Sequence, residues 1–556
     1  MAVTDSPVRS TGPARGTVRG GDVPSGSTPN IAARAVSALT RGARRPAPWG
    51  LAAALGLLAA LVSFAGSWIP SLWGDEAASI LSAQRSFGSL ANMLTTVDAV
   101  HGTYYALLHL WIDAFGASPV SVRLPSAIAV GLAAAGVVVL ADRLAGRRIA
   151  IIAALLFAVL PRTTYMGAEA RSYALGTACA VWLTVLLVHL VVTRSRSRLA
   201  WAGFALGFAA SIYVFLYLVL LAPVYAATLA VLARDRGVAL RWLMASGIGV
   251  LLAAPLVVFA VRQRHQIAFL SHRPGVTPFR FLVQQWFGAD PLAIVAWALI
   301  LVLLIAVAVA RTRPGRGIRR ALKTWAGGPS GALMRSPLVV LALAWFVLPP
   351  LILFVANLFA PLYTIRYMSF VTPAVAMLLA LALDVLCRRR VVLVAGAVLA
   401  LAALAAPSYL HERSPYGKDG GSDWAQVAQT IGANARPGDA IAFDETTRPS
   451  RRPRLAMRLY PHDFRDVIDV TLQTPYFATS GLWDRTRSIT ASATQIEATD
   501  GRLWLVEYRG PNGSGVVSSV GEHQRLGELS ALGYHVDRTF TLHRDDVLLL
   551  TKGSAT

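Results

Sequence analysis

The segment Trp68-Ile69-Pro70-Ser71-Leu72-Trp73-Gly74-Asp75-Glu76 follows the first long apolar run of the chain. That run, about residues 49–69, has roughly the 20 residues that a helix needs to cross a bilayer. Two adjacent carboxylates therefore stand close to the membrane surface. Ionisable groups at that depth are costly to hold and are candidates for function. The structural alternative is that Asp75 caps a helix beginning near Ala77.

The composition is that of a membrane protein. Of 556 residues, 55% are hydrophobic and 15% are charged, and the mean hydropathy is +0.54. The net charge of +23 does not indicate nucleic acid as a partner, because the arginines cluster in the N-terminal tail and in short loops between apolar runs, where membrane orientation explains them. The two cysteines, Cys179 and Cys387, exclude a disulfide framework.

Charge placement predicts eleven spans with the N-terminus inside the cell and the C-terminus outside. Basic loops then fall on the cytoplasmic side, as the positive-inside rule requires. Residues 1–45 are expected to be a disordered cytoplasmic tail, and 46–410 a transmembrane domain. The predicted spans cover about 49–69, 123–140, 149–161, 173–192, 200–216, 218–233, 242–261, 290–310, 337–357, 368–386 and 391–409.

The first outer loop, residues 70–122, is predicted to contain amphipathic helices between 75 and 97. The apolar and aromatic piece Tyr104–Phe115 is too short to cross comfortably and is expected to lie in the interface. Moving it through the membrane would place the Arg147-Arg148 cluster outside.

Residues 411–556 follow the last predicted span, and strand-like runs alternate with helix-like runs in them. This pattern predicts a small extracytoplasmic α/β domain. Strand-like runs occur at Ala440–Phe443, Leu503–Tyr508 and Val547–Leu550, and helix-like runs at Trp424–Asn434 and Glu522–Leu532. The pair Asp444-Glu445 is interpreted as a solvated turn.

In this topology acidic and basic side chains collect on the outer face. Arginines there run against the orientation rule, which indicates an anionic partner, and arginine suits bidentate phosphate contacts. A carboxylate beside them could deprotonate an attacking hydroxyl. The collected residues are Asp75, Glu76, Asp98, His101, Arg123, Arg162, Glu169, Arg171 and Arg366.

Three motifs carry a family resemblance. Trp73-Gly-Asp75-Glu76 after the first span resembles the Asp-Glu motif of integral-membrane (GT-C) glycosyltransferases, in particular glycosyltransferase family 39, which includes protein O-mannosyltransferases and aminoarabinose transferases. Arg123-Leu-Pro-Ser126 resembles the Arg-Leu-Pro motif of that group, and Arg366-Tyr367 resembles its late Arg-Tyr pair. The resemblance covers about residues 49–410 and implies a polytopic α-helical GT-C fold with a small C-terminal α/β domain.

Two segments depart from the family pattern. Val100-His101-Gly102-Thr103 stands where Lys-Pro-Pro or His-Pro-Pro is usual, and Glu169-Ala-Arg171-Ser-Tyr173 replaces an acidic segment. These departures bear on the sugar and the acceptor more than on the reaction class. The overall pattern resembles actinobacterial mannosyltransferases that use polyprenyl-phosphate-mannose.

The resemblance implies that the first acid, Asp75, is the catalytic base. Nearby apolar surface is expected to raise its pKa. Glu76 is a second catalytic candidate or a residue that positions the acceptor. Four of the further candidates for substrate or phosphate binding have a structural alternative: a loop cap for Asp98, a polar loop position for His101, backbone hydrogen bonds for Arg123, and an ion pair with Glu169 for Arg171. These further candidates are Asp98, His101, Arg123, Arg171, Arg366 and Tyr367.

The leading hypothesis is an inverting transferase in the cell membrane. It would move a sugar, expected to be mannose, from a polyprenyl-phosphate donor to a hydroxyl of a glycan, glycolipid or protein. An arabinofuranosyl or other pentose donor, a lipid or glycan transporter, and an inactive scaffold are the alternatives. Against transport, no inverted repeat is visible and the acids cluster at one face. No metal ligands or other cofactor are predicted, and whether a divalent cation assists is left open.

Overall fold

The computed structural model describes residues 48–232, 235–266, 277–311, 336–388, 390–499, 501–510 and 519–553. The predicted tail, most of the basic loop Arg311–Arg335 and the residues His272 and Arg273 lie outside these ranges.

Apolar helices occupy each of the eleven predicted span positions. Within the described ranges, six are long and apolar enough to cross a membrane, and two bent pairs bring that number to eight. Shorter apolar helices stand at the other three positions, Trp49–Phe64, Arg198–Val214 and Leu216–Val231. The helices at these positions are α1 (Trp49–Phe64), α5 (Pro119–Ala145), α6 (Arg147–Val159), α7 (Pro161–Gly167), α8 (Tyr173–Val192), α9 (Arg198–Val214), α10 (Leu221–Leu232), α11 (Arg236–Leu252), α12 (Ala254–Arg262), α13 (Asp290–Arg311), α14 (Pro337–Asn357), α15 (Thr372–Leu386) and α16 (Val391–Glu412).

Breaks in these helices have local causes. The axis bends by 63° between α6 and α7, where Pro161 begins α7, because proline cannot continue the hydrogen-bond ladder of α6. The 3₁₀ segment Ile365–Val371 directly precedes α15, which begins at Thr372. Arg366 therefore lies on a 3₁₀ turn and not on the α-helix itself.

Three short helices fill the first outer loop: α2 (Gly74–Ala83), α3 (Phe87–Thr96) and α4 (Gly102–Phe115). Ser86 caps α3 by accepting a hydrogen bond from the Ser89 amide. Helix α4 leaves Leu107, Leu110 and Phe115 exposed, a pattern that suits the predicted interfacial position.

The C-terminal region contains strands and short helices. The elements are α17 (Trp424–Asn434), β1 (Asp439–Phe443), α18 (Arg454–Leu459), β2 (Val467–Asp469), β3 (Leu472–Thr474), β4 (Arg485–Thr486), α19 (Ala493–Glu497), β5 (Arg502–Tyr508), α20 (Ser519–Ala531), β6 (Tyr534–Thr541) and β7 (Asp545–Lys552). Five strands form a mixed sheet in the order β2-β1-β5-β7-β6. Strands β2 and β5 pair parallel to β1, and β7 pairs antiparallel to β5 and β6. Strands β3 and β4 pair in a separate two-stranded sheet.

The interpretation of Asp444-Glu445 as a solvated turn is wrong for Asp444. This side chain is fully buried and accepts hydrogen bonds from Thr446. It also forms an ion pair with Arg525. Ion pairing at the end of β1 explains its burial, since a buried carboxylate requires a partner.

One hydrophobic core joins the outer loop to the sheet. Ile80 and Leu81 of α2 belong to the same buried cluster as Trp424 of α17 and Trp504 of β5. Helix α2 therefore packs against the C-terminal region as well as the membrane helices, and the position of its first turn depends on both.

Candidate active site

The first turn of α2 places Asp75 beside Arg366, which lies much later in the sequence. The helix begins at Gly74, after Trp73 in extended conformation, so the alternative that Asp75 caps a helix starting near Ala77 is wrong. Its Oδ2 accepts a hydrogen bond of 2.5 Å from Nη1 of Arg366. The Arg366 guanidinium carbon also lies 4.9 Å from the centre of the Trp73 ring. Two motifs separated by 291 positions therefore meet in one ion pair.

Arg366 is shared between two carboxylates. The same Nη1 atom donates to Oε1 of Glu169 at 3.3 Å. Glu169 is fully buried, and its Oε2 has no hydrogen-bond partner among the described residues. The alternative of an ion pair between Arg171 and Glu169 is wrong, because Glu169 pairs with Arg366.

Arg171 supports Asp75 from the other side. Its Nη1 donates to the Asp75 backbone oxygen and to Oγ of Ser79, both at 3.3 Å. Its Nη2 lies 3.3 Å from Nε2 of His101. Burial and Arg171 lower the pKa of His101 well below its usual value, so the neutral ring accepts the hydrogen bond. His101 and Arg171 thus form one hydrogen-bonded unit behind Asp75.

These cations reverse the expected effect on the acid. Burial raises the pKa of Asp75, but the guanidinium groups of Arg366 and Arg171 outweigh it and lower the pKa to about 2. The expectation of a raised pKa is therefore wrong for this state of the protein. Asp75 is a stable carboxylate, held for as long as Arg366 remains beside it.

Asp98 lies at a left-handed turn, with φ 58°, before the segment Ala99–His101. Its Oδ2 accepts a 2.8 Å hydrogen bond from the Tyr105 hydroxyl, and burial raises the pKa of its carboxyl. The backbone amides of Asp98 and Ala99 donate to side-chain oxygens of Gln266 and Gln263. These contacts fit the structural alternative, in which Asp98 stabilises the loop.

Glu76 and Arg123 form a buried structural pair. Both side chains are fully inaccessible. Arg123 donates Nε to Oε1 of Glu76 at 2.7 Å and Nη2 to Oε2 at 2.5 Å. Arg123 also donates to the backbone oxygens of Ser67, Pro70 and Ser71. The burial of both side chains and the bonds to backbone oxygens fit the structural alternative, in which Arg123 holds the loop. Phosphate binding by Arg123 and catalysis by Glu76 stay predictions.

Tyr367 lies in an aromatic cluster. Its ring stacks on Tyr217 with 4.7 Å between centroids and contacts Phe215 and Tyr173. It does not line the cavity beside Arg366. These are packing contacts next to Arg366 in the chain, and the predicted role of Tyr367 in substrate binding stays a prediction.

A cavity of about 300 Å³ opens beside the Asp75–Arg366 pair. Charged and aromatic side chains line it from three regions: the outer loop, the helices and the segment after α16. They include Trp73, Arg162, Tyr165, Arg366, Glu412 and Asp419. The cavity can therefore hold an anionic group against Arg366, whose guanidinium also contacts the Asp75 carboxylate.

Several wall residues carried no assigned role in the sequence. Arg162 follows the proline at the α6–α7 bend and donates to the backbone oxygens of Gln285 and Gln284. Asp419 is held by Arg451 through two hydrogen bonds of 2.7 and 2.9 Å. The sequence placed Arg162 among the charged residues of the outer face without giving it a role, whereas no local signal marks Asp419. Within the described ranges, no group of three or more His, Cys, Asp or Glu side chains is placed to hold a metal ion.

The C-terminal region clamps the loop that carries Asp75. The Leu72 amide donates to the Tyr460 hydroxyl at 2.9 Å, and Oγ of Ser422 donates to the Leu72 carbonyl at 2.8 Å. A Cβ atom at Gly74 would overlap the Ser450 carbonyl oxygen. The first turn of α2 is therefore fixed directly by residues that follow the last span.

Comparison with known proteins identifies the fold. A family model described as dolichyl-phosphate-mannose-protein mannosyltransferase matches residues 103–259. No curated protein matches the chain in sequence. The crystal structure of ArnT from Cupriavidus metallidurans bound to undecaprenyl phosphate is 16% identical, with a TM-score of 0.52 over 90% of this chain and 98% of that one.

A second structure of the same ArnT, in the apo state, is 14% identical over 89% of this chain and 97% of that one, with a TM-score of 0.49. The arabinofuranosyltransferase AftD from Mycobacteria is 18% identical over 91% of this chain and 40% of that one, with a TM-score of 0.47. The ArnT match at 0.52 shows that the chain has the GT-C fold. The predicted resemblance to GT-C integral-membrane glycosyltransferases is thus confirmed, and the chain is a multi-pass membrane protein.

Proposed function

We propose that the chain is an inverting glycosyltransferase that moves a sugar from a polyprenyl-phosphate donor to a hydroxyl acceptor on the outer face of the membrane. The observation that carries this proposal is the Asp75–Arg366 ion pair beside the cavity. The pair combines a base with a phosphate-binding cation. The mannosyltransferase family model favours mannose as the sugar, and ArnT is a protein of this fold seen with a polyprenyl phosphate.

Each step of the reaction has a residue available to it. Arg366 would bind the donor phosphate through its planar guanidinium. The acceptor oxygen would attack the anomeric carbon as Asp75 takes the hydroxyl proton, and the bond between that carbon and the phosphate oxygen would break. Polyprenyl phosphate leaves with the bonding electrons, stabilised by Arg366. A single displacement of this kind inverts the anomeric configuration.

Donor binding would also activate the base. In the described state Arg366 holds the pKa of Asp75 low, which makes the carboxylate a weak base. A phosphate that draws Arg366 away removes the strongest cationic influence on Asp75, and its pKa rises. Asp75 would then become a competent base only when the donor is in place. Arg171 and His101 would hold it in position through this exchange.

The proposed orientation places the N-terminus in the cytoplasm and the C-terminal domain outside. The short basic loops around Arg147-Arg148 and Arg196 then face the cytoplasm. The cavity and the C-terminal domain lie on the opposite side, where glycan, glycolipid or protein hydroxyls of the cell envelope are available as acceptors.

The test is Asp75→Asn in membranes supplied with radiolabelled polyprenyl-phosphate-mannose. Loss of a general base costs about 10²- to 10⁴-fold, so transfer should fall at least about a hundredfold. Asp113→Asn is the matched control, because Asp113 lies on α4 with 65% of its side chain exposed. Wild-type activity in Asp75→Asn would exclude Asp75 as the base.

The donor and the cation requirement are tested in the same assay. Polyprenyl-phosphate-arabinofuranose replaces the mannose donor in parallel reactions, and EDTA is added to a further set. Transfer from mannose alone would support the proposed sugar, and transfer from the pentose alone would replace it. No transfer by the wild-type protein from any lipid-phosphate sugar would favour the transporter or scaffold hypotheses.

A further inference from the structure

Lys418 is a buried cation in the segment between α16 and α17. Only 1% of the residue is exposed, and its Nζ atom has no hydrogen-bond partner in the described part of the chain. Nζ lies 3.8 Å from the centre of the Tyr165 ring, and that ring lines the cavity. A cation–π contact offsets part of the cost of burial, but it leaves the three ammonium donors without acceptors.

The charges around Lys418 are mainly acidic. Glu169 has the largest electrostatic effect on it, and Glu76 and Glu412 add to that effect, while Arg123 opposes it. Burial lowers the pKa of Lys418 to about 8, so near neutral pH the side chain is mostly an ammonium ion. An unpaired ammonium and the unpaired Oε2 of Glu169 therefore lie in the same buried region.

Two cations, Arg366 and Lys418, act on Glu169, and only Arg366 contacts it directly. Burial raises the pKa of its carboxyl; among the cations that oppose this effect, Arg366 has the largest influence and Lys418 the next. Arg366 contacts Glu169 directly at 3.3 Å and lies on the cavity wall, whereas Lys418 lies outside ion-pair distance. If Arg366 turns to a ligand, Lys418 is the cation with the next largest effect on Glu169.

We propose that Lys418 is a positioning residue that balances the charge of Glu169 and so allows Arg366 to leave its carboxylates for the donor phosphate. This inference rests on the proposed function, because it requires a lipid phosphate as the ligand of Arg366. Without Lys418, Glu169 would be a buried carboxylate without its two main cationic neighbours whenever Arg366 moved away. Such a charge is strongly unfavourable, and Glu169 would therefore retain Arg366.

The inference predicts a specific coupling between two residues. Lys418→Met removes the charge but keeps a long side chain, and should weaken phosphate binding by about tenfold. Glu169→Gln removes the charge that needs balancing, and should bind within about threefold of wild type. The double variant Lys418→Met/Glu169→Gln should recover to within about threefold of wild type, since the unbalanced carboxylate is gone.

The measurement is equilibrium binding of radiolabelled decaprenyl monophosphate to the purified full-length chain in nanodiscs, with thermal unfolding of each variant recorded alongside. Wild-type binding by Lys418→Met overturns the inference. A double variant as weak as Lys418→Met also overturns it, because Lys418 would then contact the phosphate itself or serve only in packing. If the wild-type chain binds no decaprenyl phosphate, the proposed function fails, and this inference fails with it.

Whether the variants fold also tests the proposed role of Lys418. If Lys418→Met alone is unfolded while the double variant folds and binds, the rescue supports charge balance between the two residues. If neither variant folds although Glu169→Gln does, Lys418 is a packing residue and the inference is overturned.

Discussion

The Asp75 carboxylate lies between two guanidinium groups, and this arrangement determines how its protonation responds to pH. Arg366 contacts the side chain and Arg171 contacts the backbone oxygen of the same residue. A carboxyl with a lowered pKa stays ionised as the pH falls, until the pH approaches that lower value. The free protein should therefore keep Asp75 as a carboxylate throughout the physiological range.

The pH dependence of transfer should differ between the free protein and the donor complex. The acid limb of kcat/KM reports the free protein, where the pKa of Asp75 is about 2, and the limb of kcat reports the complex. If the donor phosphate draws Arg366 away, the pKa rises in the complex. We expect the kcat limb to lie at least about one pH unit above the kcat/KM limb.

The measurement is initial transfer rate across donor concentrations at each pH. Activity recovered after returning acid-treated samples to neutral pH serves as the control for irreversible unfolding. Coincident acid limbs would contradict activation of Asp75 by donor binding.

Glu76→Gln should act on stability. Glu76 accepts two hydrogen bonds from Arg123 and one from the Ala170 amide. Breaking a buried ion pair costs about 3–5 kcal/mol, because the other charge is left without its partner. Thermal unfolding in detergent should show a clearly lower Tm, while exposed Asp113→Asn should leave Tm unchanged. A folded Glu76→Gln protein with wild-type Tm and no transfer would instead support the predicted catalytic role of Glu76.

Short motifs in the sequence identified candidate site residues, but they did not predict which side chains contact each other. Asp75 and Arg366 were both selected from short patterns, and they lie in contact, although their chemical roles stay predictions. Arg123 was equally visible, yet no pattern distinguishes an arginine facing backbone carbonyls from one facing a ligand. Lys418 was missed because its environment is built from residues distant in sequence.

At the scale of elements, hydropathy and charge were sufficient to place most helices and strands. The helix predicted at Trp424–Asn434 has these bounds in the structure, and the three predicted strands lie within β1, β5 and β7. Hydropathy did not predict the bend between α6 and α7 or the 3₁₀ segment before α15. Both features depend on local backbone geometry, and both position arginines of the cavity wall.

Helix α2 depends on close contact at its first residue. A side chain at Gly74 would overlap the Ser450 carbonyl oxygen, so Gly74→Ala must displace the turn that carries Asp75. Small misplacements of reacting groups are costly, and transfer should fall by about ten- to a hundredfold.

Gly88→Ala provides the matched control for this change. Gly88 lies on α3, in the same loop, and a Cβ there meets nothing within 4 Å. Equal transfer rates in the two alanine variants would show that contact with Ser450 does not position the base.

At the scale of the whole molecule, the apolar helices and the shared core define two regions held as one unit. The membrane helices were predictable because bilayer thickness imposes a length on each span. The joining of Ile80 to the core around Trp504 was not predictable, since periodicity describes one element at a time. Sequence therefore predicted both regions but not the contact through which the second supports the site of the first.

The proposed orientation can be measured by cysteine labelling in intact cells, in a background without Cys179 and Cys387. Ser488 is exposed in the C-terminal region and Thr193 is exposed after α8. Ser488→Cys should react with a membrane-impermeant maleimide, whereas Thr193→Cys should react only after the cells are opened. The reverse pattern would invert the topology and place the cavity in the cytoplasm.

The clamp on the outer loop also has a consequence for biogenesis. Ribosomes make proteins from the N-terminus onward. Leu72 and Gly74 are therefore synthesised long before Ser422, Ser450 and Tyr460, which contact them in the folded chain. During that interval the spans can insert, yet the turn bearing Asp75 lacks the partners that fix it. The turn that bears Asp75 is therefore fixed only after the last-made region has folded against this loop.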